Sequence, residues 1–267
     1  MSARPSHRPP DPESAQRARA AAFRALHLPG RPLVLYNVWD AGSARAVAAA
    51  GAAAIATGSW SVAAAHGYDD GERLPLSLVL GNVARIARVV DLPVSVDLEA
   101  GYGDDPAGVG ASVAAAIAAG AVGANLEDAR PADGSLREPD EQAARLAAAR
   151  AAADRLGVPA FLNARTDLFL ATARAHHDAA LVDAALARAQ RYAAAGADGL
   201  FVPGLVAPEL IARLAGASPL PVNVMASADA PDRATLARLG VARVSHGPAP
   251  YRRLLRQLED DARAALT

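Results

Sequence analysis

The chain has 267 residues, 52% of them hydrophobic and 21% charged, and its 27 basic and 28 acidic side chains give a formal net charge of -1. That length supports one large core, and the balanced charge offers no basic footprint for nucleic acid or an anionic membrane. The absence of cysteine excludes disulfides, thiolate metal sites and cysteine nucleophiles together.

Residues 1–20, which include Arg4, Pro5, Arg8, Pro9 and Pro10, lack the apolar centre of a secretory signal and read as a mobile leader, with 21–267 as one domain. From there, short β-rich runs alternate with Ala-, Arg- and Leu-rich segments. Strands are predicted at 33–37, 53–57, 94–98, 123–127, 160–165, 199–203, 221–225 and 242–246, and crossover helices at 40–50, 76–90, 106–119, 138–156, 178–195, 207–215, 231–239 and 248–266. Gly51, Gly120, Gly196 and Gly240 each follow a helical segment and precede a strand, as a helix-stopping residue does. Such alternation implies right-handed βαβ units around a parallel sheet. Eight units in this length fit a (β/α)8 TIM barrel, an α/β fold whose sites lie at the carboxyl ends of the strands. A doubly wound open sheet fits less well, because no Gly-x-Gly-x-x-Gly follows the first strand. No segment reads as a membrane span, and cytoplasm is the expected location.

The strand ends collect polar residues. Asn37 and Asp40 follow the first strand, Gly58, Ser59 and Trp60 the second, Asp97 and Glu99 the third, and Glu127 and Asp128 the fourth. Arg165 and Asp167 close the fifth, Asn223 lies in the seventh and His246 ends the eighth. Alternate strand residues share a face, so Asp97 and Glu99 form an oxygen-only pair suited to Mg2+ or Mn2+. Alone, that pair reads more often as an acidic turn. Gathered on one rim with the others, it reads as a site.

These residues resemble the isocitrate lyase and phosphoenolpyruvate mutase superfamily. The likeness runs from about Phe23 to the last helix. It is carried by Asn37-Val38-Trp39-Asp40-Ala41-Gly42-Ser43-Ala44-Arg45, Gly58-Ser59-Trp60-Ser61, Gly67-Tyr68-Asp69-Asp70-Gly71-Glu72, Asp97-Leu98-Glu99-Ala100-Gly101-Tyr102-Gly103, Asn125-Leu126-Glu127-Asp128 and Ala164-Arg165-Thr166-Asp167. The resemblance implies that Asp97, Glu99 and Glu127 hold Mg2+ directly or through water. It implies that Asp70 stands near the metal waters, and that Gly58, Ser59 and Trp60 grip a substrate carboxylate. Arg165 would face the reacting oxygen, Asn223 would contact the far end of the substrate, and Arg165, Asp70 and Glu127 would serve the chemistry. Stabilisation of a pyruvate enolate would be the shared step. The likeness further implies a homo-oligomer, dimer or tetramer, in which the last helix is exchanged between subunits.

The chain departs from that pattern after strand four. Family lyases carry a cysteine acid/base there, whereas this loop reads Ala129-Arg130-Pro131-Ala132-Asp133-Gly134-Ser135-Leu136-Arg137. The phosphonate-bond members use other residues there, for which only Arg130 and Ser135 stand in, at poorly matching spacing. The expected activity is a Mg2+-dependent carbon-carbon lyase or decarboxylase acting on a small 2-oxo or 2-hydroxy acid. Phosphonomutase or phosphonopyruvate hydrolase chemistry is one alternative, and a non-catalytic keto-acid-binding barrel is another.

Overall fold

The computed structural model describes residues 12–267. In chain order its elements are α1 (Pro12–Ala25), β1 (Leu33–Leu35), α2 (Ala41–Ala49), β2 (Ile55–Ala56), α3 (Ser59–Ala65), α4 (Leu76–Val89), β3 (Val94–Asp97), α5 (Pro106–Ala118), β4 (Gly123–Glu127) and α6 (Pro139–Arg155). There follow β5 (Phe161–Arg165), α7 (Leu168–Ala171), a 3-10 turn at Arg174–His176, α8 (Ala179–Ala194), β6 (Gly199–Val202), α9 (Pro208–Ala217), β7 (Val222–Met225), α10 (Arg233–Arg238), β8 (Arg243–Ser245) and α11 (Ala249–Leu266). All eight predicted strands form, and they pair in parallel in the order β1-β8-β7-β6-β5-β4-β3-β2. The result is a nearly closed (β/α)8 barrel. No helix among the described residues is long and apolar enough to cross a membrane.

Side-chain chemistry at the helix starts explains where several elements begin. Asp40, Asp105, Asp178 and Asp232 each accept a backbone N–H from the first turn of α2, α5, α8 and α10, which satisfies donors a helix start otherwise leaves orphaned. At α2, Ser43 completes a reciprocal capping box with Asp40. The crossover helices then lay apolar stripes on the strands, as α4 does with Val79, Val83 and Ile86.

The seam between β1 and β2 has no ladder, only the single bridge Val38↔Thr57. Asn37 sews it. Its Oδ1 accepts from the His246 and Gly247 amides, both at 2.9 Å, and its Nδ2 donates to Thr57 O at 2.8 Å. One buried amide thus joins the first, second and eighth strands at the carboxyl end.

The amino end is closed by α1. From Pro12 onward the segment read as a leader forms α1, where Ala20 is fully buried and Gln16 donates to Ile117 O and Ala121 O, and Phe23 further along the helix is fully buried too. Residues 1–11 of that leader lie outside the described residues. Phe23 fits because Gly123 has no side chain; a Cβ there would stand 2.8 Å from the Phe23 ring. His27 stacks on Phe161 with ring centroids 3.8 Å apart, and its Nδ1 bonds Phe23 O at 2.8 Å.

Burial, reinforced by the Arg243 charge, pulls the His27 imidazole down to about 3. An unfolded histidine protonates near pH ~6.5, so the stability His27 contributes is intact above that pH and drains away as pH falls toward the folded value. His27→Gln is expected to flatten the acid limb of urea stability measured between about pH 4 and pH 7. An unaltered limb would show that His27 does not set it.

Candidate functional site

A cavity of about 160 Å3 opens at the carboxyl end of the barrel, lined among others by Asn37, Gly58, Ser59, Trp60, Asp70 and Asp97 on one side and by Asn125, Arg165, Phe201 and Ser245 on the other. Six of the nine residues expected to form the site therefore line one space: Gly58, Ser59, Trp60, Asp70, Asp97 and Arg165. Glu99, Glu127 and Asn223 do not line it. Asn223 stands behind Ser245, to which its Nδ2 donates at 3.2 Å.

Asp97 ends β3. Its Oδ2 accepts the Ser59 amide at 3.2 Å, while its Oδ1 is buried with no partner. Gly58 N is likewise committed, to Val38 O at 3.3 Å. The expected grip of this segment on a carboxylate is thus partly redirected: two of its three amides hold the protein together, and Ser59 begins the short helix α3.

Glu99 is satisfied almost entirely by the protein. Oε2 accepts from the Gly71 amide at 2.7 Å and the Glu72 amide at 2.6 Å, and Oε1 accepts from Tyr102 Oη at 2.9 Å. Tyr102 N in turn donates to Glu72 Oε1 at 2.7 Å. Glu72, Glu99 and Tyr102 all have positive φ, 60°, 50° and 52°, a left-handed backbone that costs energy in residues with a Cβ. The knot they tie fixes the segment bearing Asp70 beside the end of β3. Burial pushes the Glu99 carboxyl up to about 7, with the Asp70 charge adding to it. Burial and the neighbouring Asp97 charge also raise Asp70, against the pull of Ser59 and Arg165.

Across the cavity Arg165 is clamped. Nε and Nη2 donate to the two oxygens of Asp167 at 2.6 and 2.8 Å, and Nη1 meets Glu127 Oε2 at 2.7 Å. Burial pushes Glu127 well above the usual carboxylate range; Arg165 opposes this, and Asp167, Asp97 and Glu99 reinforce it. Asp128, the other half of the Glu-Asp pair, points away from the cavity. It takes Asp167 N on Oδ1, and Tyr192 Oη and Arg188 Nη1 on Oδ2, anchoring the Arg165 loop to α8.

The loop after β4 is latched to α6. Arg130 Nη2 pairs with Glu141 at 2.5 Å, Arg137 donates to Ala129 O at 2.7 Å, and Ser135 Oγ donates to Asp133 at 2.7 Å. None of Arg130, Ser135 and Arg137 lines the cavity.

The donor set can be weighed against the expected cation. Among the described residues no group of three acidic or histidine side chains could hold an ion between them, so a three-carboxylate inner shell of Asp97, Glu99 and Glu127 does not fit this arrangement. A hydrated hard cation does fit. Mg2+ keeps most of its waters and needs only one or two direct carboxylates, and the unpartnered Asp97 Oδ1 is such an oxygen. Asp167 and Asp128 were missed as supports of Arg165; their places two residues after Arg165 and one after Glu127 were the available signal.

The family model described as phosphoenolpyruvate phosphomutase matches residues 23–266. A crystal structure of a provisionally assigned phosphonomutase from Burkholderia cenocepacia J2315 is 57% identical, covering 94% of this chain and 99% of that one with a TM-score of 0.92. An uncharacterized protein of Mycobacterium tuberculosis (strain ATCC 25618 / H37Rv) is 38% identical over 86% of this chain and 83% of its own length. The 2-methylisocitrate lyase of Escherichia coli (strain K12) is 34% identical over 73% and 63%. Oxaloacetate decarboxylases are also similar, the Bradyrhizobium protein at 31% identity over 77% and 70%. So is a phosphonopyruvate hydrolase crystallised with oxalate and Mg2+, at 25% identity over 91% and 88% with a TM-score of 0.75.

Glu99→Ala is expected to free the Gly71 and Glu72 amides and loosen the segment from Gly67 to Leu74. Limited proteolysis should then cut there at least about 10-fold faster while the far-ultraviolet spectrum stays unchanged. Equal cutting rates in the two proteins would mean that Glu99 does not hold the segment.

Proposed function

The chain belongs to the phosphoenolpyruvate phosphomutase family, and from that membership and its cavity we propose a Mg2+-dependent carbon-carbon lyase or decarboxylase that acts on a small 2-oxo or 2-hydroxy acid through a pyruvate enolate. The observation that carries the reading is one cavity bounded by Asp97, with a buried carboxylate oxygen lacking a partner, and by Arg165, held between two carboxylates. A buried, unpaired carboxylate oxygen is costly, and a bound cation removes that cost. Asp97 would hold Mg2+ or Mn2+ directly, and Asp70, Glu99 and Glu127 would act on it through water. When bound, the ion supplies Lewis-acid polarisation of the ligand's carbonyl oxygen.

The protein's own share is electrostatic. Negative charge grows on the carbonyl oxygen as the adjacent carbon bond breaks, and Arg165, fixed in advance by Asp167 and Glu127, faces it without having to reorganise. Its planar fork suits carboxylate and enolate oxygens. Asp70 lines the same cavity, and its carboxyl can pass a proton drawn from water to the enolate carbon after the bond has broken. Because Arg130, Ser135 and Arg137 are tied down outside the cavity, no acid/base is drawn from that loop. Decarboxylation needs none at the bond-breaking step, since carbon dioxide leaves without taking a proton, and the 31% identical oxaloacetate decarboxylase supports this choice. Carbon-phosphorus chemistry is the second reading, favoured by the 57% identity to the Burkholderia protein.

Pyruvate release from oxaloacetate, 2-methylisocitrate and phosphonopyruvate, with Mg2+ and with EDTA, separates these readings. We expect turnover of oxaloacetate that EDTA abolishes, and losses of at least about 100-fold in kcat/KM for Asp97→Ala and for Arg165→Ala. Turnover of phosphonopyruvate alone would favour the second reading. No turnover of any of the three, together with binding of oxalate, would leave a keto-acid-binding barrel.

A homo-oligomer completed by exchange of α11 is part of the proposal. Only Pro250 and Tyr251 of this helix are buried, while Leu254, Leu255 and Leu258 are 52%, 42% and 61% exposed. They continue the stripe begun by Tyr251 at helical spacing. A groove of about 750 Å3, lined by Leu26, Leu28, Leu33, Val34 and Val47 among others, runs along the outside of β1 and offers a place for another copy's helix. Leu255→Glu combined with Leu258→Glu is expected to shift the protein to monomer in sedimentation velocity, and an unchanged sedimentation coefficient would remove α11 from the interface.

A further inference from the structure

Beneath the cavity floor lies a cation that the proposed chemistry leaves unused. Arg243, the first residue of β8, is fully buried. Its Nε donates to Ser245 Oγ and its Nη2 to Asn125 Oδ1, each at 3.2 Å, while Nη1 has no partner. No carboxylate stands within ion-pair distance of it among the described residues, whereas Arg165 has two. Below it is His27, and above it Asp97 is the acid whose charge it feels. Burial pulls the guanidinium down to about 9, so it remains charged at neutral pH. A buried charge left without a partner is destabilising.

The two residues that Arg243 touches both line the cavity. Arginine can only donate, so the Asn125 atom facing it must be the amide oxygen. Asn163 Nδ2 donates to the same oxygen at 2.9 Å. With the oxygen held from below, the NH2 of Asn125 is what the side chain offers to the cavity. Ser245 is held in the same way, between Arg243 and Asn223.

We propose that Arg243 is a positioning residue that makes the cavity floor an anion-reading surface: it turns the Asn125 amide donor toward an anionic oxygen of the ligand and lends positive charge from one layer below. This deepens the small-acid reading of the site and rests on it. The rim supplies carboxylates for a cation, and the floor supplies the opposite sign for the acid that cation brings with it. A carboxylate bound at the floor provides the counter-charge that Arg243 lacks in the protein.

The test is calorimetry of Mg2+ alone, and of oxalate in saturating Mg2+, on wild type, Arg243→Met, Arg243→Lys and Asn125→Asp. Removing a lone buried charge should leave the Tm of Arg243→Met at or above wild type and its Mg2+ affinity equal or tighter, because Asp97 loses a nearby positive charge. Oxalate affinity should fall about 10- to 100-fold. Arg243→Lys should recover part of that loss, and Asn125→Asp, which gives Arg243 a partner within the protein, should keep its Tm and lose oxalate binding. Oxalate affinity within about 2-fold of wild type in Arg243→Met or Asn125→Asp overturns the proposal. So does a parallel fall in Tm, Mg2+ affinity and oxalate affinity, the mark of a merely structural role. Should Arg243→Met fail to fold, Asn125→Asp and Arg243→Lys decide by the same readings. Failure of wild type to bind oxalate overturns the small-acid reading itself, and this inference with it.

Discussion

Like charge repels, and the carboxyl rim of this barrel gathers Asp70, Asp97, Glu99, Glu127 and Asp167 around a single guanidinium, Arg165. In a low-dielectric setting such a set stands only if each oxygen has a donor or a proton. The structure divides the work. Glu127 and Asp167 share Arg165, and Glu99 takes hydrogen bonds from two amides and a phenol. Among the described residues, Asp97 Oδ1 is the one fully buried carboxylate oxygen left without a partner. The left-handed backbone at Glu72, Glu99 and Tyr102 goes with this arrangement, in which the Gly71 and Glu72 amides and the Tyr102 hydroxyl all reach Glu99. Arg165 is rigid for the same reason, and its rigidity is what an electrostatic catalyst requires.

The eight strands and their crossover helices were legible because hydrophobic runs of strand length alternate with helical segments, and a buried parallel sheet leaves that pattern in the residues. Helix α1 was not legible. Its arginines mask a narrow apolar face, and nothing local says that Phe23 and His27 will fill the bottom of the barrel. The short helices α3 and α7 escaped for want of length, since a period of 3.6 cannot be read in a few residues.

Within the site, what could be read was which residues share the rim, and what could not be read was which partner each one takes. Glu99 follows Asp97 by two residues, and alternation put both toward one face. But β3 ends at Asp97, and the turn to positive φ sends Glu99 to the segment around Gly71 instead. Arg243 was hidden for the opposite reason. A charged residue on a three-residue strand ordinarily faces solvent, and only the barrel's closure shows that this one points inward, among Asn125, Asn163, Asn223 and Ser245.

The amide of Asn37 joins residues that are 209 and 210 positions apart. Contacts of such long range are the slowest to form, because the chain between them must be ordered first. During synthesis β2 to β7 can pair edge to edge, but β1, joined to β2 by a single bridge, waits for β8 as its laddered partner, and Asn37 waits for residues 246 and 247 to be made. Until then both sheet edges stay unpaired and open to association with other chains. The cavity likewise lacks the side formed by Ser245 and Gly247, so a ligand can reward only the finished barrel and cannot guide a nascent one.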